Sequence, residues 1–397
     1  MGTSSNVVGF PGLNSGRTAN RLLAPERLTE ARLAERLTQT ELADKVGVTR
    51  QAISAYELGT KNPEPATMQE IARVLNQPIS FFTKTEHAVF GAFSANFFRK
   101  VGADTKRRNL ACEVYAKWFA AAVHAFDEIA NLPSVDIPQF EPGDSLKSAY
   151  TEDEIEAIAE NVRRHFGLGW GPISNVIRLL EVKGVSVCRM EMEGENVEAF
   201  SYWSGERPFI FLASDKGSAA RARFDVAHEL GHLCLHRWVT SVEIEDANRL
   251  KQIESEANRF AGAFLLPRSS FPNEVYSPRA EAFISLKERW KVAIQAMVYR
   301  CKDLGVFDDR QTTNIYKQIS FKKWRTKEPL DGPSGIPMER PTLLRTIAEL
   351  VLSKGQTTID DLCNRLAFSP SVIEQLWGLE PGTLRQPEAT VFVPTLK

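Results

Sequence analysis

The chain has 397 residues, 43% of them hydrophobic, with a formal net charge of −1. That length predicts two to four domains with real cores, and the near-zero charge argues against a general nucleic-acid coat or a membrane-surface binder. No apolar run reaches the ~18 residues a membrane helix needs. The N-terminus has no basic stretch followed by an apolar core, so no secretory signal is expected. The five cysteines (112, 188, 234, 301 and 363) are isolated and read as reduced thiols, so a cytoplasmic location is expected.

Residues 1–24, rich in Gly, Ser and Asn, are expected to be a flexible tail. Thr38-Gln39-Thr40-Glu41 is a capping box that opens a helix through Leu42, Ala43 and Val46. Gly47 stops that helix in the manner of a left-handed C-terminal residue. Thr49 caps a second helix with Ala52, Ile53 and Tyr56 inward, ending at Gly59. A helix before (Leu28 to Leu37) and one after (Thr67 to Leu75) complete a small bundle around a helix-turn-helix. The run from Thr38 to Glu57 resembles the Cro/phage-repressor (XRE-type) helix-turn-helix family, and the resemblance covers residues 25–82 of a domain placed at 25–85. It implies operator DNA as a partner, with the second helix in the major groove. Arg50 and Gln51 would then read guanine and adenine edges, with Ser54 in the same contact set. Gln39 and Thr49 would touch phosphates, which position without specifying. Residues 25–82 hold seven basic and eight acidic side chains. Non-specific affinity is therefore expected to be weak, and operator binding to need a homodimer.

Residues 86–150 read as a helical connector and linker. A basic cluster (Arg99, Lys100, Lys106, Arg107, Arg108) reads as a solvated charge run. The stretch Asn109 to Asn131 reads as helical packing between domains or in a dimer. Prolines and acidic residues from Pro133 to Gly143 mark the linker. A domain is placed at 151–272. Its first thirty residues read as helical, and Gly184 to Met190 as a strand. Arg207 to Ala213 reads as a second strand, either in the core or as an edge on which an extended peptide lies.

His228-Glu229-Leu230-Gly231-His232 follows on a helix that is otherwise apolar: Phe224, Val226, Ala227, Leu233, Cys234 and Leu235. Residues i and i+4 share a helical face, so the two imidazoles are placed to hold one zinc ion. Glu229, one residue along, is placed as the catalytic base on its water. Trp238 stands where a metzincin has its third histidine, which excludes that class. On the next helix, Ile253 to Pro267, Glu256 points into the apolar stripe of Ile253, Ala257, Phe260, Ala261, Phe264 and Leu265. A carboxylate aimed at a core needs a metal or a cation, so Glu256 is expected to be the third ligand, or else a salt-bridged structural residue. Glu254 falls on the more polar side with Asn258. His236 reads as a helix-end residue or a hydrogen-bond partner of the ligands. Asp225 is placed to orient His228 or to serve as an ordinary polar residue. Tyr299, Arg300 and a backbone amide are candidate oxyanion donors.

Arg223 to His232, with Glu256 to Ala261 and Leu265-Leu266-Pro267, resembles the ImmA/IrrE family of zinc peptidases, and the likeness runs from Tyr150 to about Glu328. It implies one Zn2+ on His228, His232 and Glu256, base catalysis by Glu229, and a protein substrate such as a Cro-like repressor or antitoxin. Residues 273–330 read as a helical extension, with Phe283 to Gly305 strongly helical. Residues 335–397 read as a helical region. Its Thr358 to Trp377 has helix-turn-helix spacing, but its presumed reading helix carries Glu374 and no Lys or Arg.

The expected fold class is α+β multidomain: an all-α helix-turn-helix bundle, a helical connector, a zincin-like domain with a small β-sheet, and helical C-terminal parts. The expected function is a DNA-binding zinc endopeptidase that cleaves a regulatory protein, with no membrane partner. The alternative is a non-catalytic regulator whose metal is structural or sensory.

Overall fold

The computed structural model describes residues 23–85, 87–94, 103–142, 149–190, 199–213, 217–355 and 357–384. The expected tail lies almost wholly outside the described residues, as do Arg99 and Lys100. The chain divides into two compact units, Met1–Glu86 and His87–Lys397.

In the first unit the local caps act as the sequence predicts. Helices α1 (Pro25–Ala34), α2 (Gln39–Val46), α3 (Arg50–Glu57), α4 (Pro65–Val74) and α5 (Ile79–Thr83) follow one another. Thr38 accepts the Glu41 amide, and the Glu41 carboxylate accepts the Thr38 amide at 2.6 Å, so both halves of the capping box are made. Gly47 adopts φ 76°, where a side chain would be strained, and ends α2. Thr49 caps α3. Leu28, Leu42, Ile53, Ile71, Phe81 and Phe82 form the buried centre. The carboxylate of Glu57 receives Arg32 at 2.5 and 3.0 Å and the Gln39 amide at 2.8 Å, which ties α1, α2 and α3 together.

The second unit contains α6 (Ala103–Asp127), α7 (Glu152–His165), α8 (Val176–Val182), β1 (Ser186–Met190), β2 (Ala199–Ser204), β3 (Arg207–Ala213), α9 (Ala219–Leu235), α10 (Ser241–Glu245) and α11 (Ala247–Leu265). Beyond these lie α12 (Phe283–Trp290), α13 (Ile294–Asp303), α14 (Asp309–Phe321), α15 (Leu343–Ser353), α16 (Ile359–Leu366) and α17 (Pro370–Trp377). Among the described residues the sheet has three strands in the order β1-β3-β2, with β1 parallel and β2 antiparallel to β3. The fold class is therefore α+β multidomain, an all-α unit followed by one with a small sheet.

Alternation along the strands divides the sheet into two faces. Val187, Trp203, Ile210 and Leu212 join the core that α7, α8, α9 and α11 share. Phe200, Tyr202, Phe209 and Phe211 stack on the opposite face. There Phe119 of α6 meets Phe209 and Phe211, and the Tyr202 hydroxyl donates to the Ala116 carbonyl at 2.8 Å. The aromatic stretch of α6 thus covers a face of the sheet. Trp377 of α17 lies on Phe126 with ring centroids 4.1 Å apart. Glu374, on the helix with reading-helix spacing, is buried and accepts the amides of Gly382 and Leu384, so α17 is a packing element.

Two further expectations change. Strand β3 lies between its neighbours, so the peptide-edge alternative does not apply to it; β2 is the edge beside α9. The end of β2 is met by Ala92 to Ser94, whose Ser94 amide donates to Trp203 and whose Ala92 carbonyl accepts from Gly205, each at 2.9 Å. The helix foreseen over 283–305 breaks at Lys291, which takes φ 55°. Tertiary contacts hold that break. The Glu328 carboxylate accepts the amides of Ile294 and Gln295 at the start of α13 and pairs with the buried Lys287 at 2.9 Å. No helix among the described residues is long and apolar enough to cross a membrane.

Candidate metal centre

Helices α9 and α11 make the most extensive helix–helix contact in the second unit. Their close approach depends on Gly231, the fourth residue of the His-Glu-Leu-Gly-His run. A Cβ there would stand 3.1 Å from the Phe260 ring and 3.3 Å from the Ala257 backbone. Gly231→Ala is therefore expected to force the two helices apart. The overpacking costs about 1–3 kcal/mol, only partly offset by the ~1 kcal/mol gain in helix propensity. Both a lower melting temperature and a weaker zinc affinity than wild type are expected, and an unchanged affinity would show that the spacing does not matter to the site.

The Nε2 atoms of His228 and His232 face each other at 2.9 Å. The Glu254 carboxylate of α11 lies 3.6 Å from each of them. These three side chains offer ligand atoms all within 4.8 Å of one another. Tetrahedral zinc, with bonds of about 2.0–2.1 Å, sets its ligand atoms about 3.3 Å apart. The two nitrogens and the carboxylate therefore fit a zinc ion both in donor type and in spacing.

The structure places Glu254, and not Glu256, beside the imidazoles of His228 and His232. Glu256 is buried as its apolar stripe predicts, but its Oε2 lies 2.9 Å from His236 Nε2, and its Oε1 accepts the Tyr150 amide at 3.3 Å and the Gln252 side chain at 3.0 Å. The two glutamates lie about 200° apart around a helix of 3.6 residues per turn, so only one of them can face the metal. The polar side of α11 faces the histidines. Asn258, one turn beyond Glu254, places its Oδ1 3.1 Å from His228 Nδ1. The orienting bond at His228 is thus with Asn258, and Asp225 acts on that imidazole through its charge.

Glu229 is also buried, and the Ser201 hydroxyl of β2 donates to its Oε2 at 2.6 Å. Neither Ser201 nor β2 stands out in the reading of the sequence. Two signals point to them: the two-residue Gly205-Glu206 link before β3, and a serine on the core-facing side of an aromatic alternation. Arg300 donates to Glu156 at 2.5 and 2.8 Å and to the Leu266 carbonyl at 3.1 Å, and is therefore committed to the fold. Tyr299 is exposed on α13.

Burial holds all three imidazoles below their ordinary range. His228 falls to about 4, helped by the charge of His232. His236 falls to about 3, helped by Arg249. His232 is lowered by burial, which outweighs the opposing hydrogen bond with Glu254, and His236 lowers it further. Neutral imidazole is the form that binds metal. In the metal-free chain the unfolded histidines titrate near 6.5 and the folded His228 only near 4. The histidine contribution to stability is then fully present above pH ~6.5 and is lost as the pH falls towards 4, with a slope of about 1.4 kcal/mol per pH unit for each histidine. Thermal melting in a chelator should be level above pH ~6.5 and follow that slope from there down to pH ~5. A flat profile would show that these imidazoles are not held neutral.

In the first unit Thr49, Arg50 and Gln51 are exposed at the start of α3, and Ser54 is half-buried one turn on. The Thr49 hydroxyl accepts the Ala52 amide as the helix cap at 3.2 Å, and the Gln39 side chain is held by Glu57.

A helix-turn-helix family model matches residues 28–82. A model of the M78 peptidases, the IrrE N-terminal-like domain, matches residues 180–302. An uncharacterized HTH-type transcriptional regulator of Bacillus subtilis (strain 168), YqaE, is similar at 39% identity over 61 residues, 15% of this chain and 53% of the relative. The chain thus spans about half the length of this curated relative. It is a fusion of an XRE-type helix-turn-helix domain with an ImmA/IrrE-type domain of the M78 peptidases.

Proposed function

We propose that this chain is a zinc-dependent endopeptidase that cleaves a specific regulatory protein, a Cro-like repressor or antitoxin, and that its helix-turn-helix brings it to operator DNA. The observation that carries this reading is the convergence of His228, His232 and Glu254 on one point, with the carboxylate of Glu229 one residue along α9. Three protein ligands leave one position open, as catalytic zinc sites do. The third-ligand role foreseen for Glu256 accordingly passes to Glu254.

Zinc, when bound, activates a water and polarises the scissile carbonyl. The remaining steps belong to the chain. Glu229 takes the proton of the attacking water and later delivers it to the leaving amine. Ser201 holds the carboxylate of Glu229 in place. Asn258 fixes the ring of His228 so that its Nε2 points inward. In the DNA-binding unit Arg50, Gln51 and Ser54 meet base edges and Thr49 the backbone, with Gln39 held behind them by Glu57. Without a broad basic face, two copies of the chain would be needed on one operator.

New protein N-termini, compared in native cells carrying either wild type or Glu229→Gln, with and without DNA damage or oxidative stress, test the reading. A cleavage seen only with wild type supports it and identifies the substrate. Matching profiles, with both proteins still on the same operators, would instead mean a regulator whose metal is structural or sensory.

A further inference from the structure

We propose that His236 and Glu256 are positioning residues that fix the tautomer and ring plane of His232; the inference rests on the metal reading above. Three buried side chains form one hydrogen-bonded line. His232 Nδ1 lies 3.0 Å from His236 Nδ1, and His236 Nε2 lies 2.9 Å from Glu256 Oε2. His232, His236 and Glu256 are 2%, 1% and 5% exposed, so no bulk water takes part.

The direction of the protons follows from the far end of the line. The Tyr150 amide and the Gln252 amide group both donate to Glu256 Oε1, so that oxygen accepts. The other oxygen of the carboxylate then accepts from His236 Nε2–H. A neutral imidazole has one donor and one acceptor nitrogen, so His236 Nδ1 accepts, and the group donating to it is His232 Nδ1–H. The Nε2 lone pair of His232 is thereby left pointing at His228 and Glu254. Tyr150 steadies the assembly: its ring lies edge-on to His236 at 6.3 Å, and its hydroxyl donates to the Phe140 and Leu235 carbonyls at 2.8 and 3.0 Å. A histidine ligand backed by a carboxylate in this way is both oriented and made more basic. His228 has the neutral amide of Asn258 in the corresponding place, so the two ligands are supported differently.

The geometry makes Glu256→Gln a polarity test. The glutamine oxygen would take the two donors at Oε1, turning its NH2 towards His236. Every bond in the line then reverses, and His232 carries its proton on Nε2, the nitrogen that must face the metal. Two readouts on the purified full-length chain test this: zinc affinity by competition with a chromophoric chelator, and histidine side-chain 15N NMR of the metal-free protein. Wild type should bind one zinc and show His232 as the Nδ1–H tautomer. Glu256→Gln should show the Nε2–H tautomer and bind zinc about 10–100-fold more weakly. Glu256→Asp, which keeps the polarity, should retain the wild-type tautomer. If Glu256→Gln leaves tautomer and affinity unchanged, or if wild type itself shows Nε2–H, the proposal is overturned. A wild-type chain that binds no zinc but shows the Nδ1–H tautomer would overturn the metal reading and leave the positioning line intact.

Discussion

Glu229→Gln is expected to slow peptide-bond cleavage by about 10²–10⁴-fold, the usual contribution of a positioned base, while zinc content and operator binding stay at wild-type levels. Glutamine keeps the volume of the side chain and can still accept the Ser201 hydroxyl, which donates to Glu229 at 2.6 Å. What it lacks is the ability to take a proton. Because the proposed metal ligands are His228, His232 and Glu254, the substitution leaves that donor set intact. Rate on the identified substrate and zinc per chain should be measured on the same preparation. Equal loss of both would make Glu229 a structural residue of the site; a rate within a few-fold of wild type would remove it from the chemistry.

The second large effect is expected at Glu254. Glu254→Ala removes one of the three proposed ligands, and zinc affinity should fall by well beyond the ~10–100-fold that loss of a supporting residue causes. The metal-free fold should change little, because the Glu254 side chain is partly exposed (15%). Chelator competition and metal-free melting temperatures separate the two effects. If Glu254→Ala keeps its zinc while Glu256→Ala loses it entirely, the assignment reverts to Glu256.

The contrast between these two glutamates shows how far a sequence reading reaches into this site. Periodicity places Glu256 on the apolar side of α11 and Glu254 on the polar side with Asn258, and both placements hold. A polar stripe on a half-buried helix is ordinarily taken to face solvent. Here it faces a second helix that presents imidazoles. Whether a polar face meets water or ligands depends on how α11 crosses α9, which local periodicity does not encode.

The same division runs through the chain. Capping boxes, glycine stops and i, i+4 histidines act within a few residues. The amino-acid sequence alone therefore determined the helix that carries His228, Glu229 and His232, the helix-turn-helix, and the α+β class. Only the tertiary structure decided that β3 lies between two strands, that α6 covers a sheet face, that Lys291 breaks a helix opposite Glu328, that Ser201 reaches Glu229, and which glutamate faces the histidines. Each of these is set by contacts between residues far apart in the chain, where burial and hydrogen-bond satisfaction outweigh local preference.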